Sequence, residues 1–391
     1  MKPLRILKLC NLFHTELIRD FYRRRPEQKD LSYEEQKQYL VEYCPVHLNG
    51  FSIYMRELGH ECEEIIFDSM TIQKTWAKEN DCTYGSNSWQ LDIVMEQIKS
   101  YAPDVLYLQD VNGLPLWIRR RIKDLVPSIK LVAVFKGYPG LAHELTDIDV
   151  LFAGSPVIGD DYRAGGVNAI DVYHSFDPRV LAMLQKHRHM LPREDYELSF
   201  LGYSGFGGGG IMHYNRYQML CELAERTNIQ MWVTESPGLR APDLDPEDLP
   251  LLERYPERTT LSCFGLEMYN ILNRSKMVFN VHTLATLDVA CNMRMFEATG
   301  AGTCLITDQK RNLADLFEPD KEVVVYNSIE ECIEKINYLN ENEKERAAIA
   351  KAGQERTLKD HALPQRCERI SYELQELMKG VSEKSYSFAH A

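Results

Sequence analysis

The sequence has little positive charge for its length. Its 391 residues contain 45 lysine and arginine residues against 58 aspartate and glutamate residues, which gives a formal net charge of −13 at pH 7. Proteins that bind nucleic acid need clustered cations to neutralise the phosphate backbone. We therefore expect no nucleic-acid partner, although this charge balance leaves room for a local basic pocket around a single diphosphate.

Long apolar runs and paired cysteines are also missing, and from the opening residues we expect no secretory leader. The opening residues MKPLRILKLCNLF hold an apolar run too short to span a bilayer, and they predict a buried first strand. The ten cysteines include no CxxC pair, and Cys10, Cys263 and Cys304 lie inside apolar, strand-like runs. Such usage is typical of a reducing compartment, so we expect a cytoplasmic protein. No cluster has the spacing of metal ligands, and no metal site is expected.

Short apolar segments alternate with amphipathic ones along most of the chain. The segments LRILKLC, ECEEIIF, DVLYLQD and KLVAVFKG predict strands in the first half. A charged, proline-containing segment follows at residues 187–197, and the pattern then restarts with LSFLGYS. Repeated strand–helix–strand order predicts an α/β protein with two doubly wound, Rossmann-like parallel-sheet domains. We expect ligands at the carboxyl ends of the strands, in a central cleft that the two domains face.

A glycine-rich turn opens the second half. The stretch FLGYSGFGGGGIMHYNRY places glycines after a predicted strand and before a helix, where backbone amides can approach an anion. Arg216, at the start of that helix, is within reach of the same anion. The stretch has neither a clean GxGxxG nor the lysine of a P-loop, so neither nucleotide motif is satisfied. A flexible surface loop is the alternative interpretation.

The stretch NMRMFEATGAGT, residues 292–303, pairs a cation with a carboxylate. Arg294 and Glu297 are three residues apart and share one face of a predicted helix. A guanidinium binds phosphate oxygens in a bidentate manner, and a carboxylate one turn away can accept both vicinal hydroxyls of a ribose. Together they suit a nucleoside diphosphate. The alternative is an ordinary ion pair within the helix, which contributes only a few tenths of a kcal/mol.

Several motifs of the second half occur in an order that resembles a known family. They are FGxxxYxxxxxSK at residues 264–276, FNVH at residues 279–282 and MRMFEAxGAGxxLITD at residues 293–308. The set resembles the donor domain of GT-B glycosyltransferases of group 1, and more narrowly the CgeB-like branch, which is spore-maturation-protein-like. Residues 313–366 are similar to that branch as well, whereas the first half resembles it only in patches.

The resemblance implies a metal-independent glycosyltransferase whose donor substrate is a nucleotide sugar, with no further cofactor. Residues 1–193 would form the acceptor-side domain and residues 194–362 the donor domain, with a C-terminal helix within residues 363–380 packing back on the first domain. The implied acceptor is a saccharide, a glycolipid or a protein, and a lipid-linked acceptor would bring a peripheral membrane contact. The sugar, the base, the stereochemical outcome and the oligomeric state are left open.

The resemblance also assigns roles to individual residues. Glu297 matches the ribose-binding glutamate and Arg294 the residue that points at the diphosphate. The other matched donor-site positions are Gly202, Tyr203 and Ser204 beneath the diphosphate, Phe264 and Gly265 beside the base, and His282 and Thr283 at a strand end. Retaining members often carry a second glutamate, but Val289 stands at that position and Asp288 is one residue out of register.

An inverting reaction needs a general base for the acceptor hydroxyl. The leading candidates are Asp110 in LQDVNG and His14 in NLFHT, each at a predicted strand end of the first domain. His174 and Asp177 are further candidates. Asp110 could instead form a turn, and Asp177 could cap the helix that follows it.

Two other functions fit the same sequence. A sugar-nucleotide epimerase of the same two-domain fold would act on a nucleotide sugar without an acceptor. A degenerate relative would bind a nucleotide without turning it over, and the unmatched Val289 is consistent with this interpretation.

Overall fold

The computed structural model describes residues 2–11, 15–43, 50–207, 210–213, 215–236, 244–245 and 247–389. The chain divides into two compact units. Unit 1 consists of Met1–Tyr173 together with Leu363–Ala391, and unit 2 consists of His174–Ala362.

Each unit is built on a parallel sheet of six described strands. In unit 1 the strands are β1 (Arg5–Cys10), β2 (Glu61–Ile66), β3 (Val105–Leu108), β4 (Leu131–Lys136), β5 (Val150–Ala153) and β6 (Ala169–Asp171). In unit 2 they are β7 (Tyr196–Gly207), β8 (Ile229–Ser236), β9 (Thr259–Leu261), β10 (Ser275–Asn280), β11 (Cys304–Asp308) and β12 (Val324–Tyr326).

Helices alternate with these strands along the chain. In the first half they are α1 (Thr15–Arg24), α2 (Tyr33–Tyr43), α3 (Gly50–Glu57), α4 (Met70–Glu79), α5 (Trp89–Tyr101), α6 (Leu116–Arg119), α7 (Ile122–Leu125), α8 (Pro156–Ala164) and α9 (Arg179–Lys186). In the second half they are α10 (Arg216–Arg226), α11 (Leu251–Arg254), α12 (Gly265–Asn273), α13 (Met293–Gly300), α14 (Leu313–Leu316), α15 (Ile329–Glu341), α16 (Glu343–Asp360) and α17 (Leu363–Ala389).

The sheet of unit 1 is covered on both faces. Successive side chains of a strand point to opposite faces, so Leu7 and Ile6 of β1 enter different cores. Leu7 packs in the core that contains Val94 of α5. Ile6 packs in the core that contains Phe51 of α3 and Ile370 of α17. Burial on both faces is the reason why these strands are almost continuously apolar. The predicted α/β class, with two doubly wound parallel sheets, is confirmed.

The strand order differs between the two sheets. It is β2-β1-β3-β4-β5-β6 in unit 1 and β12-β11-β10-β7-β8-β9 in unit 2. The chain therefore reverses its direction of winding between β1 and β3 in unit 1, and between β7 and β10 in unit 2. Ligands of doubly wound sheets bind at such switch points, outside the carboxyl ends of the strands.

The boundary between the units differs from the predicted one at residue 193. Unit 2 already begins at His174. The charged segment that predicts a linker is bound by unit 2, because Arg274 donates to the carbonyl oxygens of Arg193 and Glu194 and pairs with Asp195 at 2.8 Å. Asn270 of α12 donates to the carbonyl oxygen of Pro192 at 3.0 Å. Side chains far along the sequence make these contacts, so the polar composition of the segment did not reveal them.

The C-terminal helix belongs to unit 1. Cys367, Ile370 and Leu374 of α17 lie in the core beneath the first sheet. The imidazole of His60 is 2.7 Å from the hydroxyl of Ser371, a buried polar contact between α17 and the residue that precedes β2.

We predict opposite stability effects from alanine at two helical glycines. A Cβ at Gly353 of α16 would lie 2.3 Å from the carbonyl oxygen of Glu322, a backbone atom that cannot swing away. Gly353→Ala should therefore lower the free energy of unfolding by about 1–3 kcal/mol, despite alanine's better helix propensity. Gly380 of α17 has open space around its Cβ position, so Gly380→Ala should raise that free energy by up to about 1 kcal/mol. Urea unfolding curves measure both. A neutral or stabilising Gly353→Ala would contradict the close packing.

Candidate functional site

The switch point of unit 2 brings together most of the predicted donor-site residues. Strands β7 and β10 are neighbours, and α10 and α13 begin beside their carboxyl ends. Gly202, Tyr203 and Ser204 lie in the last part of β7. His282 and Thr283 follow β10 directly.

The glycine-rich turn differs from its predicted form because the strand does not stop at Ser204. Strand β7 continues to Gly207, with an irregular register against β8 between Tyr203 and Gly207. Gly205 has φ +90°, and a Cβ there would lie 3.2 Å from the carbonyl oxygen of His213. Glycine is therefore required at this position for both conformation and space. Gly208 and Gly209 lie outside the described residues.

Arg216 places a positive charge at the carboxyl ends of β7 and β10. It is the first residue of α10, and 6 % of its surface is exposed. Its guanidinium donates to the carbonyl oxygen of Tyr203 at 3.2 Å and to that of Val281 at 2.8 Å, so it bridges the ends of β7 and β10. Its buried Nε has no hydrogen-bond partner. Among the described residues no carboxylate forms an ion pair with it.

The consequence is a buried positive charge without an ion-pair partner among the described residues, which the charge of Asp308 stabilises only from beyond ion-pair distance. Burial lowers the pKa of Arg216 to about 10, which still leaves the side chain charged at neutral pH. The first turn of a helix adds unpaired amide groups and the positive end of the helix dipole. A buried cation at such a place is suited to an anion.

A second group of polar side chains, His282, Asp308 and Lys310, lies at the ends of the neighbouring strands β10 and β11. His282 Nδ1 lies 2.7 Å from Asp308 Oδ1, and the backbone N–H of His282 donates to the same oxygen at 3.1 Å. Lys310 Nζ pairs with the other carboxylate oxygen at 3.1 Å. Burial by itself would raise the pKa of Asp308, but the contacts with His282 and Lys310 outweigh it and lower the pKa to about 2. His282 is thus held in one orientation at the end of β10.

Helix α13 is anchored to the same strand end. Its N-cap Asn292 accepts from the backbone N–H of Met295 at 3.4 Å and donates to the side chain of Asn280 at 2.7 Å. The sulfur of Met295 lies 3.0 Å from His282 Nε2. The first turn of α13 is therefore fixed against β10, which positions Arg294.

The far end of α13 is packed just as closely. A Cβ at Gly300 would lie 2.2 Å from the ring of Phe176. The backbone N–H of Phe176 donates to the carbonyl oxygen of His361 at 3.0 Å. Small residues at the end of α13 therefore admit an aromatic ring from the segment that leads into unit 2.

Arg294 and Glu297 form the ion pair that their spacing allows. Arg294 Nη1 lies 2.8 Å from Glu297 Oε2, and both side chains are mostly buried. Within the described part of the chain, the Glu297 carboxylate has no partner besides Arg294. Arg294 Nε is buried without a partner. Burial raises the pKa of Glu297, and the charge of Arg294 opposes that shift. The pair is thus desolvated and incompletely hydrogen-bonded, unlike an ordinary surface pair.

Phe264 and Gly265 lie at the start of the helix that contacts Arg294. Phe264 is the N-cap of α12, and Gly265 is its first residue with φ +60°. Met268 on the same helix contacts Arg294 Nη1 through its sulfur at 3.3 Å. The predicted residues therefore fall into two groups, which Met295 connects through its contact with His282.

The remaining residues at the end of β7 have different surroundings. The Ser204 hydroxyl is fully buried and donates to Glu235 at 2.9 Å, which fixes the local backbone. The ring of Tyr203 is half exposed and stacks on His213 at 5.6 Å. Burial and the charge of Arg216 lower the pKa of His213 to about 4, so its imidazole is neutral at pH 7. Gly202 and Thr283 contribute backbone to the edge.

The candidate bases are dispersed. Asp110 follows β3 in unit 1, where it accepts from Asn11 Nδ2 at 3.1 Å and from the backbone N–H of Asn112 at 3.0 Å. It forms the turn that was its alternative interpretation, at the switch point of the first sheet. His14 lies outside the described residues. Asp177 of unit 2 accepts from the backbone and side chain of Arg179, which is a capping arrangement.

The departure from the retaining pattern also has a structural counterpart. Val289 is buried, whereas Asp288 is exposed and pairs with Arg311 at 3.1 Å.

Across the described ranges, no group of three or more His, Cys, Asp or Glu side chains is arranged to hold a metal ion. In the same ranges, no helix is both long enough and apolar enough to cross a membrane.

Sequence reasoning missed Asp308 and Lys310 as site residues. The signal was present, because Asp308 ends the apolar run CLITD and therefore lies at the carboxyl end of a strand. Its partner His282 is distant in sequence, so only the pairing of β10 with β11 brings the two side chains together.

We predict that Asp308 makes the stability of the protein pH-dependent in acid. Because its pKa in the folded state is below the unfolded value near 4, the stabilisation is complete above about pH 4. It is lost as the pH falls towards 2, and it amounts to roughly 2 kcal/mol. The difference in unfolding free energy between wild type and Asp308→Asn should therefore shrink between pH 5 and pH 2, as urea titrations would show. Asp288→Asn, in an exposed pair, is the matched control. A difference that does not change with pH would contradict the role of Asp308.

Comparisons with known proteins bear on both the fold and the second unit. A family model described as "Glycosyl transferase-like" matches residues 216–371, which is less than half of the chain. The match begins at Arg216 and includes Arg294, Glu297 and Asp308. No curated protein is similar enough to the chain to count as a match.

Solved structures share the architecture over nearly the full chain. Anabaena HepE in complex with UDP-glucose is 11 % identical with a TM-score of 0.57, covering 95 % of this chain and 100 % of its own. Sucrose-phosphate synthase from Thermosynechococcus elongatus is 10 % identical with a TM-score of 0.55, covering 96 % and 100 %. UDP-GlcNAc 2-epimerase from Neisseria meningitidis is 10 % identical with a TM-score of 0.51, covering 95 % and 100 %.

At these identities the likeness concerns the fold alone, and transferases and an epimerase share it. The chain thus has the GT-B fold of two Rossmann-like units, and the glycosyl transferase-like match begins at the buried arginine of the switch point, covers most of unit 2 and extends into α17.

Proposed function

We propose that this protein is a glycosyltransferase that moves a sugar from a nucleoside diphosphate donor to a hydroxyl of a saccharide, glycolipid or protein acceptor. The observation that carries the proposal is the buried, charged Arg216, which has only carbonyl oxygens as partners among the described residues. A protein keeps such a charge where a ligand anion neutralises it, because an unpaired buried charge is otherwise destabilising.

The diphosphate is the group that gains charge during transfer. As the glycosidic bond breaks, negative charge grows on the leaving diphosphate while the sugar becomes oxocarbenium-like. A fixed cation and the amide groups at the start of α10 stabilise that charge more in the transition state than in the ground state, which lowers the barrier. Arg216 supplies most of the positive charge for this purpose, because Arg294 and Lys310 each form an ion pair with a carboxylate. We therefore propose that this cation and the amide groups act without a metal ion.

Glu297 is assigned to the ribose. Its carboxylate is desolvated and, in the described part of the chain, has Arg294 as its only partner. Two vicinal hydroxyls would satisfy the acceptor capacity that remains, and burial makes each such hydrogen bond stronger. Phe264 and Gly265, at the start of α12, are assigned to the base.

The finer parts of the proposal have separate grounds. Membership of the CgeB-like branch rests on the resemblance of the motifs, and a cytoplasmic location rests on the cysteine usage. Asp110 or His14, each at a predicted strand end, is proposed as the base that activates the acceptor hydroxyl. Peripheral membrane contact would follow from a lipid-linked acceptor. UDP-glucose in the complex of HepE, a protein of the same fold, makes UDP the first nucleotide to test.

We predict that UDP, GDP or dTDP binds the wild type and that Arg216→Met raises the dissociation constant about 10- to 100-fold, since a hydrogen bond to a charged group contributes about 1.5–3 kcal/mol. Isothermal titration calorimetry with and without EDTA measures both effects. Arg226→Met is the matched control, because Arg226 lies at the other end of the same helix and pairs with Glu222 in solvent.

Each result has a definite meaning. Absence of binding to all three nucleotides would contradict a nucleotide-sugar enzyme, and unchanged binding by Arg216→Met would contradict the assigned site. An epimer formed from UDP-N-acetylglucosamine alone would favour the epimerase alternative. Binding without turnover across saccharide, glycolipid and protein acceptors would favour the degenerate binding module.

Glu297→Gln should remove the preference for ribose. The wild type is expected to bind UDP about tenfold or more tightly than 2′-deoxy-UDP, because the carboxylate loses one charge-assisted hydrogen bond to the deoxy sugar. The variant should bind the two nucleotides almost equally. Since the pKa of Glu297 is raised, the wild-type preference should also weaken as acidic pH protonates the carboxyl group.

Calorimetry with the two nucleotides gives the ratio directly. Exposed Glu222→Gln serves as the control and should leave the ratio unchanged. If Glu297→Gln keeps the wild-type preference, the carboxylate serves only as the partner of Arg294.

A further inference from the structure

A second cation without a carboxylate partner lies in unit 1. Lys136 is the last residue of β4, and 8 % of its surface is exposed. Over the described ranges, no acidic side chain lies within ion-pair distance of its ammonium group. The groups nearest to Nζ include the rings of Tyr138 and Tyr162, whose centroids are 4.8 and 5.8 Å away.

A second polar group faces the same small space. Tyr162 of α8 is 1 % exposed, and its hydroxyl has no hydrogen-bond partner among the residues described. A Cβ built at Gly140 would lie 2.6 Å from the Tyr162 hydroxyl and 3.2 Å from Lys136 Nζ. The ammonium and the hydroxyl therefore converge beside Gly140, where a side chain would fill the gap between them.

This arrangement destabilises the unliganded fold. Burial lowers the pKa of Lys136, and the more distant charges of Asp110 and Glu144 oppose that shift without cancelling it. The buried Tyr162 hydroxyl and the charge on the largely buried Lys136 both lack acceptors among the described residues, and both carry a desolvation penalty. Destabilising groups of this kind are typical of ligand sites, where the ligand supplies the missing partner.

The surroundings indicate what kind of ligand this is. The ring of Tyr138 is 46 % exposed next to the ammonium and offers a flat apolar surface for a sugar ring. Asp110 lies at the end of the neighbouring strand β3, so a hydroxyl-bearing ligand at Tyr138 would also be close to a carboxylate. Two unsatisfied donors require an acceptor, and an acid group provides both the oxygens and the charge.

We propose that Lys136 and Tyr162 bind the acid group, a carboxylate or a phosphate ester, of a saccharide acceptor whose ring lies on Tyr138. The inference rests on the proposed glycosyltransferase function and makes it more specific, because it assigns an acidic sugar to the acceptor. Lys136 acts here as a specificity-determining residue, and Asp110 remains the candidate base.

The test compares matched sugars that differ in the acid group. Saturation-transfer NMR titrations of the full-length protein would use methyl β-D-glucuronide, glucose 6-phosphate and the neutral methyl β-D-glucoside. The wild type should bind at least one acidic sugar about tenfold or more tightly than the glucoside, and the two acidic probes distinguish a carboxylate ligand from a phosphate ligand. Lys136→Met should abolish this preference, and Tyr162→Phe should weaken it several-fold.

Controls separate this inference from the proposed function. Lys123→Met, which removes an exposed partner of Asp149, should keep the wild-type preference. Lys136→Met should leave the affinity for UDP unchanged and raise the melting temperature, because it removes a buried charge. If Lys136→Met does not fold, Tyr162→Phe decides with the same probes.

Three results would overturn the inference. They are equal wild-type binding of acidic and neutral sugars, an unchanged preference in Lys136→Met, and a loss of UDP affinity in that variant, which would assign Lys136 to the donor. Failure of the wild type to bind any nucleotide would remove the proposed glycosyltransferase function, yet it would leave the acidic-sugar preference measurable by itself.

Discussion

The donor site that we propose for unit 2 depends on a buried guanidinium held by main-chain oxygens instead of carboxylates. Two carbonyl groups accept from the guanidinium of Arg216 with partial charges only, so no ion pair within the described residues neutralises the cation. They also belong to the ends of two adjacent strands, so the same contacts fix the side chain and the edge of the sheet. A carboxylate at either position would stabilise the arginine more, but it would compete with an anionic ligand. The geometry thus favours recognition over stability.

The two arginines of the site differ for the same reason. Arg294 lies beside Glu297, and their charges largely compensate each other. Attraction of a diphosphate therefore falls mainly to Arg216, whereas the pair on α13 offers directional hydrogen bonds at almost no net charge. Such a division suits a ligand that carries its charge at one end and its hydroxyl groups at the other. Asp308 contributes indirectly, because it orients His282, and His282 contacts Met295 of the helix that carries the pair.

Local patterns were sufficient to predict the architecture and the position of Arg216. Apolar runs separated by amphipathic segments fix the order of strands and helices, and the first residue of a helix after a strand lies at the carboxyl edge by necessity. Three features depend on contacts between distant parts of the sequence and could not be predicted. Strand β7 continues through its glycines because β8 pairs with it as far as Gly207. Residues 192–195 join unit 2 because Asn270 and Arg274 bind them. The ion pair of Arg294 and Glu297 was foreseen as a possibility, but its burial was not.

Helix α13 ends with a glycine that lies against an aromatic ring. The ring of Phe176 occupies the volume that any side chain at Gly300 would need. Phe176 belongs to the segment through which the chain enters unit 2. Its backbone N–H donates to the carbonyl oxygen of His361, close to the point where the chain leaves unit 2. In related sequences, a larger side chain at position 300 would therefore require a smaller side chain at position 176. An aromatic residue at position 176 is therefore compatible only with a very small residue at position 300, so the segment that leads into unit 2 constrains the sequence of the helix that contains Glu297.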